Sequence, residues 1–405
     1  MNKTFLFISA GLEAVPAILR AKELGLNVIA TDADSNAPGF EYVDQKLIAD
    51  TYNIEETVRV VKHYHTHICP IDGVLCVAAD IPKTVSVVAN TLGILGITEH
   101  SAFLVSDKLA MKQQFQKDQI PIPWFSEIDS FHSLEHQFQK KKFPLILKPV
   151  DSRGARGVLR LSKELDLKWA YEESLSHSPT NRVMLEAYLE GPQVSTESLV
   201  VDGQVFTPGF SDRNYEYLQR FSPFVIENGG DLPSYLSENI QTSVKQLIQH
   251  AAFSLGITNG VVKGDVVIHN SKPYIIELAG RLSGGYFCTH EIPLNTGVDF
   301  VGCAIRHALG EKISPSELTP EYQKPVVQRY LFPKPGKVIR VTGVAEVKAM
   351  PGIKMCEIRV AVGDTISKVH SHPARSGVIL ATAETSAQAR LLAASAIDNI
   401  RIETT

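Results

Sequence analysis

The stretch that most constrains this chain runs from Lys263 to Gly285, KGDVVIHNSKPYIIELAGRLSGG. Residues alternate over Val262–His269 and again over Pro273–Leu278, with Asn270–Ser271 as a turn pair, so the spacing predicts a β-hairpin. Such a hairpin brings Asp265 and Glu277 onto one face, a short distance apart. Two close carboxylates repel unless a cation or a proton lies between them. Hard oxygen ligands on a rigid hairpin suit Mg²⁺, which takes one or two carboxylates and completes its shell with water and phosphate. Arg281 and the Ser283–Gly284–Gly285 turn follow at once. A guanidinium and a glycine turn beside a metal pair suit an oxyanion or a phosphoryl group in transfer. An ordinary hairpin with solvated acids reads the same way from these residues alone.

Upstream, short apolar strands at Thr4–Ser9, Asn27–Thr31 and Gly73–Val77 alternate with helical spacing at Val15–Leu24, Ile54–His63 and Ile81–Leu92. That alternation predicts an α/β fold with a doubly wound parallel sheet. Gly11 stands alone where a dinucleotide fold needs G-x-G-x-x-G, so NAD is not expected, and Asp32 and Asp34 simply end a strand. His63, His65 and His67 read as a helix end rather than a metal site. The MNKTFLFISAG segment reads as a first strand rather than a signal-peptide core. A net charge of −4 gives no general attraction to nucleic acid or to anionic membrane. No apolar run is long enough to span a bilayer. Five scattered cysteines without C-x-x-C argue for a reducing compartment, with the cytoplasm as the expected location, and against structural zinc.

Ser101–Gln119 is expected to be one helix, with Lys108 and Lys112 on one face. Lys148 is more informative. It sits inside the apolar strand FPLILKPV, where a lysine is costly unless it meets an anion. The glycines of SRGARGV, residues 152–158, permit a mobile loop whose amides could cover phosphates, although no Walker A pattern is present. Val183–Leu189 reads as a strand and Gln193–Val201 as another. Phe206–Pro233, with Asp212, Arg213, Tyr215 and Arg220, reads as a long irregular loop of functional type. Helices are expected at Ser234–Leu255, Asp299–Leu309 and Thr385–Asp398.

Taken in order, SDKLAMK, LKPVDSRGARGV, LEAYLEG, Asp265, Glu277 and Arg281 resemble the ATP-grasp superfamily over nearly the whole chain. The resemblance is to the branch holding carboxyaminoimidazole ribonucleotide synthetase, phosphoribosylglycinamide ligases, biotin carboxylase, carbamoyl-phosphate synthetase and L-amino acid ligases. It implies a pre-ATP-grasp α/β domain at 1–105. An ATP-grasp domain at 106–310 follows, with its lid at about 121–190, and a small strand-rich α+β module at 311–405. It also implies that Lys108 and Lys148 contact ATP phosphates and that Ser152, Arg153, Gly154 and Gly157 belong to the lid loop. Glu186, Ala187 and Leu189 would form the adenine hinge, with Glu197 near the ribose or phosphates. Asp265 and Glu277 would be the magnesium ligands, and Arg281, with Lys148, would act on the transferring group. Ala279 stands where many members place a metal-binding Asn, and Asp265 replaces the more frequent Glu.

The activity so implied is an ATP-dependent carboxylate–amine ligase that passes through an acyl-phosphate and releases ADP and phosphate. Its cofactors would be ATP and Mg²⁺, with Mn²⁺ as a substitute. Substrate residues are expected at Arg213, Arg281, Ser283, Gly284 and Gly285. The expected partners are small-molecule acid and amine substrates, with an amino acid as a candidate acid, and a homodimer is expected. Two alternatives are a carboxylase using bicarbonate and a non-catalytic nucleotide-binding regulator.

Overall fold

The computed structural model describes residues 2–405. Strands β1 (Thr4–Ile8), β2 (Asn27–Asp32), β3 (Gln45–Ile48) and β4 (Gly73–Leu75) form a parallel sheet in the order β3-β2-β1-β4. Both faces of β1 are apolar because both are covered. Phe5 and Phe7 pack on the Val15–Glu23 helix and on a much later helix, Phe300–Ala308. Leu6 and Ile8 pack on Ile54–His67 and Pro82–Leu92. Asp32 accepts from the Ala10 amide (2.9 Å), and Asp34 from that of Asn36 (2.9 Å). Asp32 therefore ties the end of β2 to the turn after β1, and Asp34 serves a local turn. His65 and His67 lie in the last turn of their helix.

A second sheet is antiparallel, with β5 (Phe125–Ile128), β6 (Leu145–Pro149), β7 (Leu159–Leu161) and β8 (Val183–Ala187) in the order β5-β8-β6-β7. Helices Phe131–Lys140 and Leu167–Ser176 cover it through Leu134 and Ala170. The largest sheet begins with β9 (Gln193–Val201), β10 (Gln204–Arg213) and β11 (Gly230–Leu232). The opening hairpin supplies β12 (Gly260–His269) and β13 (Lys272–Ala279). Asn270 (φ 49°) and Ser271 (φ 60°) both take the left-handed conformation that a tight two-residue hairpin requires. Helix Glu238–Ser254 packs on this sheet, with Met111 and Phe115 of a further helix in the same core.

The C-terminal part adds β14 (Val326–Tyr330), β15 (Gly336–Thr342), β16 (Ile353–Ile358), β17 (Thr365–Ile366), β18 (Gly377–Thr382) and β19 (Arg401–Thr404). Three of these join the large sheet, whose order is β13-β12-β9-β10-β11-β14-β18-β16. The other three form a small sheet, β17-β15-β19. The C-terminal strands thus extend the hairpin's own sheet, and this places their loops over the same surface.

Two local expectations need correction. The helix expected over Ser101–Gln119 is two helices, Glu99–Ser106 and Lys108–Lys117. Asp107 leaves the helical conformation between them, and its carboxylate caps the second helix by accepting from the Ala110 amide (2.9 Å). The stretch expected to be irregular from Phe206 continues as β10 to Arg213, and the chain pairs again at β11. Pro208 cannot donate to the ladder, and a register shift between Phe206 and Gly209 absorbs it.

Candidate active site

A cleft of about 620 Å³ opens where the three parts meet. Its walls come from the parallel sheet's loops (Glu13, Tyr52, Asp80), from the 125–187 sheet, from β10, β12 and β13, and from C-terminal loops. Every site residue anticipated from sequence lines it except Gly157 and Glu197.

At one end stand the lysines. Lys148 on β6 is buried and pairs with Glu186 of the adjacent β8, register partner to Ile146. Glu186 therefore offers its side chain to a lysine, a role not read from the sequence. Its other oxygen pairs with Lys112, which sequence reasoning left as an ordinary helix lysine. Lys112 is completely buried and donates to the Ile275 carbonyl (3.0 Å). Burial pushes the Lys112 ammonium down to about 8, with Glu186 pulling against it. Glu186 stays below the usual carboxylate range: burial opposes this, but Lys112 and Lys148 outweigh it. The only hint in the sequence was the position of Lys112 between Met111 and Phe115, on the stripe that enters the core.

Lys108 donates to the Ser152 carbonyl (2.8 Å) and lies 3.5 Å from Glu277. It ties the start of the 152–157 loop to the hairpin. The loop is held from two sides. The Arg153 guanidinium lies 3.9 Å from the centre of the Tyr52 ring, and the Gly154 carbonyl accepts from the His372 amide (2.9 Å). Gly157 (φ 69°) turns the loop away from the cleft against Pro149 and His177. In the hinge, the Ala187 amide is taken by the Trp124 carbonyl (2.9 Å). Leu189, beyond the strand, keeps a free amide among the described residues.

Asp265 and Glu277 are register partners on β12 and β13, as the hairpin requires. They are not equivalent. Asp265 is buried, pairs with Arg213 (2.9 Å) and Lys263, and accepts from the Ser195 hydroxyl (2.9 Å). Burial alone would raise its pKa, but Arg213 and Lys263 hold it well below the usual range. Glu277 is more open, with its side chain about one-third exposed (34%). No cluster of three or more His, Cys, Asp or Glu capable of holding a metal occurs among the described residues. The donor set thus fits a magnesium held by Glu277 and by phosphate oxygens. Asp265 would join only by exchanging one of its cations.

The Arg281–Gly285 turn forms the other end. Arg281 is half-buried and its Nε donates to Asp80 (2.8 Å). The Gly285 amide donates to Glu13 (2.7 Å), whose other oxygen accepts from Arg359 (2.8 Å). Gly285 needs its φ of 67°, and a Cβ there would lie 2.6 Å from the Tyr330 hydroxyl. Glu197 does not reach the cleft. It is fully buried under this turn and accepts from the Ser283 amide (3.0 Å), which corrects the expectation of a nucleotide contact. Burial pushes it up to about 7, against the Ser283 hydrogen bonds. Glu13, Asp80, Arg359, His372 and Arg375 also line the cleft, and sequence reasoning missed them. Asp80 had a signal, since it follows β4 at the carboxyl edge of a parallel sheet.

Residues 105–285 match the family described as "ATP-grasp domain", and residues 329–405 match "L-amino acid ligase C-terminal domain 2". Among curated relatives, the formate-dependent phosphoribosylglycinamide formyltransferase of Prochlorococcus marinus is 25% identical over 199 residues, 47% of this chain and 48% of that protein. The carbamoyl phosphate synthase large chain of Clostridium botulinum is 21% identical over 316 residues, 76% of this chain but 28% of that one. The chain thus spans about half of the first of these relatives and about a quarter of the second. Among solved structures, the L-amino acid ligase from Bacillus licheniformis superposes with a TM-score of 0.83 at 21% identity, covering 100% of this chain and 99% of that one. The N5-carboxyaminoimidazole ribonucleotide synthetase from Thermotoga maritima gives 0.75 at 15% identity, with 100% of each chain covered. With the lysines, loop and hairpin in the places just described, residues 105–285 form an ATP-grasp domain.

Proposed function

We propose that this protein is an ATP-dependent carboxylate–amine ligase that activates a small carboxylic acid as its acyl-phosphate and releases ADP and phosphate. The observation that carries the reading is the two-ended cleft. Lys108, Lys148 and loop residues 152–156 line it together with Arg281 and residues 283–285, and Glu277 lies 3.5 Å from Lys108. The ammonium groups of Lys108 and Lys148 would neutralise the polyphosphate, and Arg153 and Arg156 would close over it. Magnesium, when bound at Glu277, would supply charge neutralisation between the terminal phosphates. The acid would lie against the 283–285 turn, where the Gly284 amide and the Arg281 guanidinium would stabilise charge on the migrating phosphoryl group. Docking of the loop on Tyr52 and His372 keeps water from the acyl-phosphate until the amine attacks.

The test is product analysis on a screen of amino acids and small carboxylates with candidate amines. The expected result is ADP and phosphate, formed only when acid is present. AMP and pyrophosphate as products, or nucleotide turnover indifferent to every acid, would rule the reading out.

A further inference from the structure

Most cations of the cleft already have carboxylate partners. Lys148 has Glu186, Lys263 has Asp265, Arg213 has Asp265 and Glu227, Arg281 has Asp80, and Arg359 has Glu13 and Glu357. Arg153 and Arg156 have none, and both sit on the loop that faces the phosphate end. One more is left over, Arg375, on the C-terminal turn that precedes β18. Among the described residues no carboxylate lies within ion-pairing distance of it, and its sole side-chain hydrogen bond is from Nη2 to the Glu227 backbone carbonyl (2.7 Å). Its Nε is buried without a partner. The guanidinium lies 3.8 Å from the centre of the Tyr330 ring, and the hydroxyl of that ring abuts Gly285. The same turn carries His372, whose Nε2 is also buried and unpartnered. Burial and then the charges of Arg375, Arg213 and Lys263 hold that imidazole well below its ordinary pKa, so it is neutral and has a hydrogen-bonding nitrogen to spare.

An unpaired guanidinium with a dry nitrogen is costly unless an anion completes it. The phosphate end has its own cations, and Arg375 stands beside the acceptor turn. We infer that Arg375, with His372 beside it, forms a binding site for a substrate carboxylate, supplied by the C-terminal turn that also touches the 152–157 loop. Arg281 is engaged by Asp80, so Arg375 is the cation left free to hold that group. The inference rests on the ligase reading for the substrate's role and not for the site's existence.

Two measurements separate those claims. The full chain is first titrated calorimetrically with acetate, glycine and inorganic phosphate. Wild-type protein should bind at least one of the two carboxylates, and Arg375→Met should weaken it roughly 10- to 100-fold, the loss of one charge-assisted hydrogen bond. Arg375→Lys should recover part of the loss at most, since it keeps the charge without the planar fork. Absence of carboxylate binding in wild type, equal binding in the variants, or a loss shared equally with phosphate overturns the site. The acid and amine returned by the ADP-release screen are then used for kinetics. A raised KM for the acid with little change in kcat places the activated carboxylate on Arg375. A raised KM for the amine, with acid-dependent ADP release intact, places there a carboxylate carried by the second substrate. A lowered melting temperature with both KM values unchanged overturns the inference in favour of a packing role on Tyr330. A chain that binds carboxylates at Arg375 but releases no ADP would sink the ligase reading and leave the site standing.

Discussion

Lys148 reaches Glu186 across 38 residues of sequence and Lys108 reaches Ser152 across 44. At the acceptor end, Arg281 reaches Asp80 across 201 residues, Gly285 reaches Glu13 across 272, and Arg359 reaches Glu13 across 346. The phosphate end is built from a helix, two neighbouring strands and a loop of one part of the chain. The acceptor turn is clamped by all three. A local constellation can be carried by its own sheet, whereas a clamped turn depends on how the parts dock. Substitutions at the two ends should therefore fail differently, with local loss of charge balance at one and loss of alignment at the other.

The largest effect is expected at the phosphate end, from Lys112, which does not itself line the cleft. Lys112→Met removes half of the neutralisation of a buried carboxylate and should cost about 3–5 kcal/mol of stability. Chemical denaturation measures this directly. Lys148→Met should be dominated by weaker ATP binding and lost turnover, because Lys148 faces the cleft. Similar stability losses in both variants, with similar residual activity, would erase the distinction between a supporting and a contacting lysine.

At the acceptor end, Arg281→Lys should slow turnover roughly 10²–10³-fold with ATP affinity nearly intact, the usual cost of one misplaced preorganised donor. The Asp80 pair adds a condition. Asp80→Asn should reproduce part of the loss, since the guanidinium then has no anchor, and the double variant should be less than additive. Additive losses in kcat would show that the pair does not act as a unit.

Glu197 sharpens the same contrast through pH. Its folded-state value is raised from 4.5 to about 7, so the folded protein holds the proton more tightly than the unfolded chain. That contribution is fully present below 4.5 and is lost as pH rises through about 7, a change of about 3 kcal/mol in all. Glu197→Gln should flatten the stability profile across that window and exceed wild type in stability above it. Parallel profiles for the two proteins would mean that Glu197 is ionised beneath the turn.

How much of this was legible follows from the same geometry. Lys148 could be read because a lysine in FPLILKPV announces a partner, and the hairpin because alternation and its turn residues fix the register of Asp265 against Glu277. Lys112 could not, since helical spacing looks the same whether a lysine faces water or Glu186. Nor could the separate fates of Asp265 and Glu277, because Arg213 reaches Asp265 from a strand read as a loop. Glu13, Arg359 and Arg375 lie in segments without local pattern, and only docking gives them a site. The joining of β14, β18 and β16 to the central sheet is likewise a matter of which edge is offered.

The smallest expected effect is at the seam between the two ends, where the 152–157 loop is held. Arg153 over Tyr52 is an exposed cation–π contact, worth about 0.5–1 kcal/mol. Gly154 to the His372 amide is one backbone hydrogen bond, of about 0.5–1.5 kcal/mol net. Contacts of that size bias a loop toward closure without locking it. Without nucleotide, the 152–157 peptide should exchange its amides faster than the flanking β6, and a non-hydrolysable ATP analogue should slow it. Tyr52→Ala should speed exchange in the free protein by roughly 2- to 5-fold, the factor that 0.5–1 kcal/mol allows. It should leave the nucleotide-bound rate almost unchanged, because the polyphosphate then holds Arg153. If Tyr52→Ala altered the bound state as much as the free one, the N-terminal contact would belong to the catalytic arrangement itself. The loop would then have to be grouped with the clamped acceptor end instead of the local phosphate end.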